Sequence, residues 1–233
     1  MNSIRSVKKY LIYEDNHLLV INKQQGFLVQ GDKTGDISLL DTLKDYLKIT
    51  KKKKGNVYLG LVHRLDRTSS GVIVFAKTSK ALSRLNKQFK NREVIKTYWA
   101  IVEGKNLPKK EKLTNWVRKN QTKNKSFVFE NELKRTKKAI LTYTNVKKLK
   151  HYSFIQVELE TGRHHQIRCQ IAYRGFPIKG DIKYGAKRSN KNSGIYLHSR
   201  QLTFIHPVTK KKLSFTAKCP KDPLWESCEV VNS

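Results

Sequence analysis

Apolar residues recur at two spacings along the chain, and the switches between them mark out its elements. "YLIYEDNHLLVINK", residues 10–23, alternates and then runs continuously apolar, which predicts two short strands around a turn at Glu14–Asn16. In "SLLDTLKDYLKI", residues 38–49, Leu39, Leu40, Leu43 and Leu47 share a helical face, and Ser38 is placed to cap it. "TSKALSRLNKQFKN", residues 78–91, repeats the helical spacing with Ala81, Leu82, Leu85 and Phe89. "GVIVFAK" and "KTYWAIVEG" read as strands, the second closed by Gly104. "YSFIQVELETG" alternates at period two and ends at Gly162. "RHHQIRCQIAYRG" is read as helical from its start, with Ile167 and Ile171 one turn apart and Gly175 as the stop. "LTFIHPVTKKKLSFTAKCP" predicts a hairpin joined across Pro207–Lys211. Residues 105–150, charged in blocks such as "KNLPKKEK" and "KRTKK", read as strands and loops of a basic, mobile lobe.

Strands and helices mix without regular βαβ alternation, so the fold class is α+β. No repeat appears, and no stretch is rich enough in Gly, Ser or Pro to part the chain. One domain over 1–233, with its core between about 10 and 220, fits a length ample for burying a core.

Charge changes the picture more than composition does. Forty-nine basic residues against eighteen acidic give +31, a field that draws polyanions, nucleic acid first. The preference for Lys over Arg follows compositional bias, but bias does not explain why acids are scarce. No run of apolar residues is long enough for a transmembrane helix, and the first residues lack the apolar segment of a secretory signal. Cys169, Cys219 and Cys228 are odd in number and lack CxxC spacing, which fits reduced thiols in the cytoplasm rather than zinc or disulfides.

Against that field, "VHRLDRTSSG", residues 62–71, sets Asp66 between Arg64 and Arg67 and then runs into an apolar strand. It has neither helical periodicity nor strand alternation and reads as a loop. No phosphate loop, dinucleotide fingerprint, HExxH helix or GxSxG elbow is present. Adjacent His164 and His165 are poorly spaced for joint metal ligation. A metal-dependent nuclease would need paired carboxylates that the chain does not offer. Read alone, Asp66 could be a surface ion-pair acid, Arg168 a solvated helix charge and Tyr98 a core residue. His63 and His165 read as structural hydrogen-bonders, and Lys51–Lys54 as a solvated loop.

"HRLDRTSSG" resembles the signature of the RluA-type pseudouridine synthases (ribosomal large subunit pseudouridine synthase A). The likeness extends in order over most of the chain: "YEDNHLLVINKQQG", "KTYWAIVEG" as K-x-Y-x-A-x-V-x-G, "ETGRHHQIRCQIAYRGFPIKGDIKYG" around T-G-R-x-H-Q-I-R, and "LHSRQLTFIHPVT". Gln24 stands where the family usually has Pro, and Ser69 where Thr is common. The S4-like domain of many relatives has no counterpart, because the pattern starts near residue 10.

The resemblance implies a single catalytic domain built on a mixed, largely antiparallel sheet flanked by helices and loops, with a central basic cleft. It implies isomerisation of uridine in ribosomal or transfer RNA to pseudouridine by a cytoplasmic monomer needing no metal or organic cofactor and no membrane. By family match Asp66 is the catalytic carboxylate, kept ionised by Arg168, and Tyr98 stacks on the base and serves at the C5 proton. Arg64 fills the gap left by the flipped nucleotide or contacts phosphate. Arg67, Lys96, Arg163, His165 and Ile167 complete the RNA-binding set. The rival is a non-catalytic RNA-binding or ribosome-assembly protein on the same scaffold.

Overall fold

The computed structural model describes residues 7–32, 35–191 and 193–229. It divides into two compact units, one formed by residues up to 94 with 199–218, the other by 95–198 with those from 219 onward. The chain therefore passes between units three times, a division without a Gly/Pro linker to announce it.

In the first unit, β1 (Leu11–Glu14), β2 (Leu18–Lys23), β3 (Gly60–Leu61) and β4 (Ser70–Ala76) join by antiparallel pairing, with Val20 opposite Val74. β4 is buried along its whole length, which is why it reads as an unbroken apolar run. Helix α1 (Leu39–Thr50) starts where expected, since the Ser38 hydroxyl accepts from the Asp41 amide at 3.2 Å. Helix α2 (Ser79–Lys90) is capped in the same way by Thr78. Leu18, Val20, Val72, Val74, Ala81 and Leu85 form a core with residues of the C-terminal hairpin. Gly71 has φ +119°, and a Cβ there would lie 2.3 Å from the Ser199 carbonyl oxygen, so only glycine fits.

In the second unit, β5 (Ile95–Glu103), β6 (Lys110–Asn120), β7 (Lys125–Phe129), β8 (Lys137–Lys148) and β9 (Tyr152–Leu159) form antiparallel neighbours in the order β5-β9-β8-β6-β7. Residues 110–148 thus build most of this sheet, and Leu113, Leu141 and Tyr143 carry them into its core. Helix α3 (Gln166–Tyr173) adds Ile167 and Ile171 to that core. It begins three residues later than the sequence suggests, because His165 has φ +52°, a left-handed conformation that cannot continue a helix. β10 (Leu197–Ile205) starts in this unit and runs into the first, where it pairs with β11 (Lys212–Thr216) as the expected hairpin. Helix α4 (Pro223–Glu229), not foreseen from sequence, buries Trp225 and Cys228 against Trp99, Ile101 and Phe154.

Candidate active site

In the first unit, the segment between β3 and β4 turns at Asp66. The amide and the hydroxyl of Ser69 both donate to the Asp66 carbonyl, at 3.1 and 3.0 Å. A second segment, after β2, is stitched to it. The Gly26 amide donates to the Arg67 carbonyl at 2.8 Å, and Arg67 Nε donates to the Gly26 carbonyl at 3.0 Å. Arg67 also meets Asp36 at 2.7 Å, so its guanidinium is tied to neighbouring loops of its own unit. Arg64 is exposed, and Asp66 is half-buried.

Beneath this turn lies a residue that sequence reading passed over. Lys23, 1% exposed at the end of β2, donates to the carbonyls of Ser69 at 2.7 Å, Gln24 at 3.0 Å and Arg67 at 3.4 Å. Burial pulls its ammonium down to about 7. The negative charge of Asp66 acts against that pull, and Arg67 adds to it. A lysine closing "LLVINK" carries no sequence mark that sets it apart from a solvated one; only the fold reveals it. His63 is structural as expected, accepting from the Val74 amide at 3.2 Å and stacking on Phe89.

In the second unit, Lys96 and Tyr98 project from β5 on the side of Ala100 and Val102, the side on which Ile167 and Ile171 pack. Tyr98 is partly buried against that core. Arg168, in the first turn of α3, is buried and forks onto Asp181, with Nε to Oδ2 at 2.7 Å and Nη2 to Oδ1 at 2.8 Å. Its guanidinium carbon stands 5.1 Å from the centre of the Tyr184 ring. Asp181 and Tyr184 belong to the quoted "GDIKYG" turn, but their part in holding Arg168 was not foreseen.

The turn before α3 is fixed by Gln166. Its side-chain oxygen accepts from the Thr161 hydroxyl at 2.8 Å and the Arg163 amide at 2.9 Å, while its Nε2 donates to the Ile140 carbonyl. Arg163 Nε is held by the Lys138 carbonyl at 2.9 Å. His165 shares a 2.9 Å hydrogen bond with the Tyr184 hydroxyl and stacks on His164 with centroids 3.8 Å apart. Burial raises the Tyr184 phenol well above its usual range, so it stays protonated in this cluster. Among the described residues, no group of three or more His, Cys, Asp or Glu side chains is arranged to hold a metal ion.

One unit presents a carboxylate on a braced turn. The other carries Lys96 and Tyr98 on one side of β5 and, on α3, an Arg168 guanidinium anchored by Asp181.

A family profile described as RNA pseudouridylate synthase matches residues 17–173. Ribosomal large subunit pseudouridine synthase D of Buchnera aphidicola subsp. Baizongia pistaciae is 34% identical over 232 residues, covering 92% of this chain and 70% of the relative. Ribosomal large subunit pseudouridine synthase C of Vibrio vulnificus is 31% identical, covering 99% and 70%. Among solved structures, human RNA Pseudouridylate Synthase Domain Containing 4 superposes with a TM-score of 0.80 at 22% identity over 97% of this chain and 95% of that one, a likeness of fold. With a family match over most of its length and relatives above 30% identity, the chain belongs to the RNA pseudouridylate synthase family, within its RluA-type branch.

Proposed function

We propose that this RNA pseudouridine synthase acts on uridine in ribosomal RNA, with Asp66 as the carboxylate that drives the isomerisation. The names of its relatives support the choice of RNA. The observation that carries the role of Asp66 is its seat on a turn whose carbonyls are gripped from below by a buried ammonium.

The reaction breaks the N1–C1′ bond, rotates the uracil and joins C5 to C1′. The C5 proton leaves and N1 gains one, so product and substrate are isomers. A carboxylate serves by attacking the electron-poor C1′ or by taking a proton from the sugar, and both routes need Asp66 ionised. The positive charge of Lys23 favours that anion, as does the cationic character of the whole chain. Tyr98 stacks on the extruded base and serves at C5, where a phenol can relay the proton. Arg168 contributes a charge that Asp181 keeps oriented. Arg64, exposed beside the turn, contacts phosphate or fills the vacated stack, and Arg67, Lys96, Arg163, His165 and Ile167 support the bound strand.

The protein acts as a monomer in the cytoplasm and uses no metal; turnover at full rate in EDTA is the expected result. The decisive variant is Asp66→Asn, which keeps shape and removes charge. Pseudouridine formation on ribosomal RNA transcripts should fall below detection while RNA binding persists. Wild-type turnover by this variant would overturn the role of Asp66. Pseudouridine maps of cells with and without the gene should differ at ribosomal positions, and a change confined to transfer RNA would redirect the substrate.

A further inference from the structure

The sheet of the second unit is covered on one face by α3, but at its free edge the opposite face carries an unusual set of side chains. Leu113, Val117, Ser126, Val128, Ala139 and Leu141 point inward. The residues between them point the other way. Trp116 on β6 lies directly across from Phe129 on β7, and the next pair outward in register is Arg118 and Phe127. Trp116 is flanked on its other side by Lys138 of β8. The Arg118 guanidinium carbon stands 4.9 Å from the centre of the Phe129 ring. Lys125, at the edge itself, holds its ammonium 5.9 Å from the Phe127 ring and 5.1 Å from the Tyr184 ring.

Phe127 is 40% exposed, and Arg118 and Lys138 are exposed. Apolar rings on a solvent-facing sheet edge are a liability that proteins normally remove. Here they are kept and interleaved with cations. Acids close by are engaged: Glu160 by Lys112 at 2.6 Å, and Glu130, next to Phe129, by the Tyr173 hydroxyl at 3.0 Å. Rings alternating with positive charge match a strand whose bases stack while its phosphates are neutralised. We propose that this open face of β6, β7 and β8 is a second RNA-contact surface, one that stacks unpaired bases on Trp116, Phe127 and Phe129 and pairs flanking phosphates with Arg118 and Lys138. It lies on the face of its sheet opposite to Tyr98 and rests on the reading of the chain as an RNA-acting enzyme.

Oligoadenylate is the probe, since it stacks strongly and contains no uridine to isomerise. Trp99 and Trp225 are buried, so Trp116 is the tryptophan positioned to report a stacked base. Titration of the full chain should quench tryptophan emission, and Trp116→Phe should abolish the quench. Arg118→Ala with Phe127→Ala should weaken binding roughly tenfold or more. It should also flatten the salt dependence by about 0.7 in slope for the lost cation. Arg118→Lys, retaining charge without the plane, should fall between. Both side chains of the double variant are exposed, and matching melting curves will verify its fold.

Wild-type affinity of the double variant for oligoadenylate, or a quench that survives in Trp116→Phe, overturns the proposal. The first outcome would assign the face to a non-RNA partner. Asp66→Asn should bind oligoadenylate as the wild type does. Loss of pseudouridine formation there and loss of stacking here are thus separate results, and each reading fails on its own measurement.

Discussion

Each unit buries a cation beside the proposed chemistry, and each makes it tolerable in a different way. Arg168 is given a carboxylate: Asp181 meets it through two parallel hydrogen bonds, both partners nearly inaccessible. Such a fork keeps a guanidinium charged at any working pH. Lys23 is given carbonyl oxygens, dipoles without full charge, and burial pulls its ammonium down to about 7. One support is permanent. The other changes charge in the range where cells operate.

Breaking the permanent support should cost most. Asp181→Asn removes the charge of the carboxylate that forks with the buried Arg168, and about 3–5 kcal/mol of unfolding free energy should be lost in urea titrations. Stability within 1 kcal/mol of wild type (a small surface-like effect) would show that Asp181 is not its main counter-charge. The Lys23 support should show itself in pH. Because its pKa in the folded chain is below that of the unfolded chain, the unfolded state binds more protons between about 7 and 10.5. Stability should therefore rise with pH through that window, by on the order of 1 kcal/mol per unit from this group. Lys23→Met should remove that rise, and parallel profiles for the two proteins would refute the assignment. Asp66→Asn, by deleting the charge that opposes the burial effect on Lys23, should shift the rise to lower pH. The smallest effect is expected at Ser69→Ala, which removes one hydroxyl bond to the Asp66 carbonyl and should cost about 1 kcal/mol in the same titration.

The contrast also explains what could be read from the sequence. Local rules reached the cap at Ser38, the strand pair on either side of the turn at Glu14–Asn16 and the hairpin after Ile205, because each depends on residues close in the chain. They placed Asp66 on a loop for the same reason. The start of α3 escaped because nothing local requires His165 to adopt a left-handed conformation; stacking on His164 and the bond to Tyr184 accompany it. Gln88 carries no mark in the sequence, yet its amide donates to and accepts from the backbone of Ile205, 117 positions away. Lys23 and Asp181 escaped likewise: their importance lies in partners 46 and 13 residues distant, which no spacing rule joins. The motif resemblance singled out Asp66, Tyr98 and Arg168 but left unstated what braces them.

The three passages of the chain between units bear on how the enzyme comes into being. The hydrophobic cluster behind the Asp66 turn includes Leu202, Phe204 and Phe215, which follow the whole sheet of the second unit in the chain. A nascent chain that has emerged only as far as β9 holds Asp66 and the lysine beneath its turn, yet lacks the strands that complete their scaffold. The turn bearing Asp66 therefore gains its full support only once β10 and β11 have been made, so a product stopped at β9 would carry the signature loop without a finished support for it.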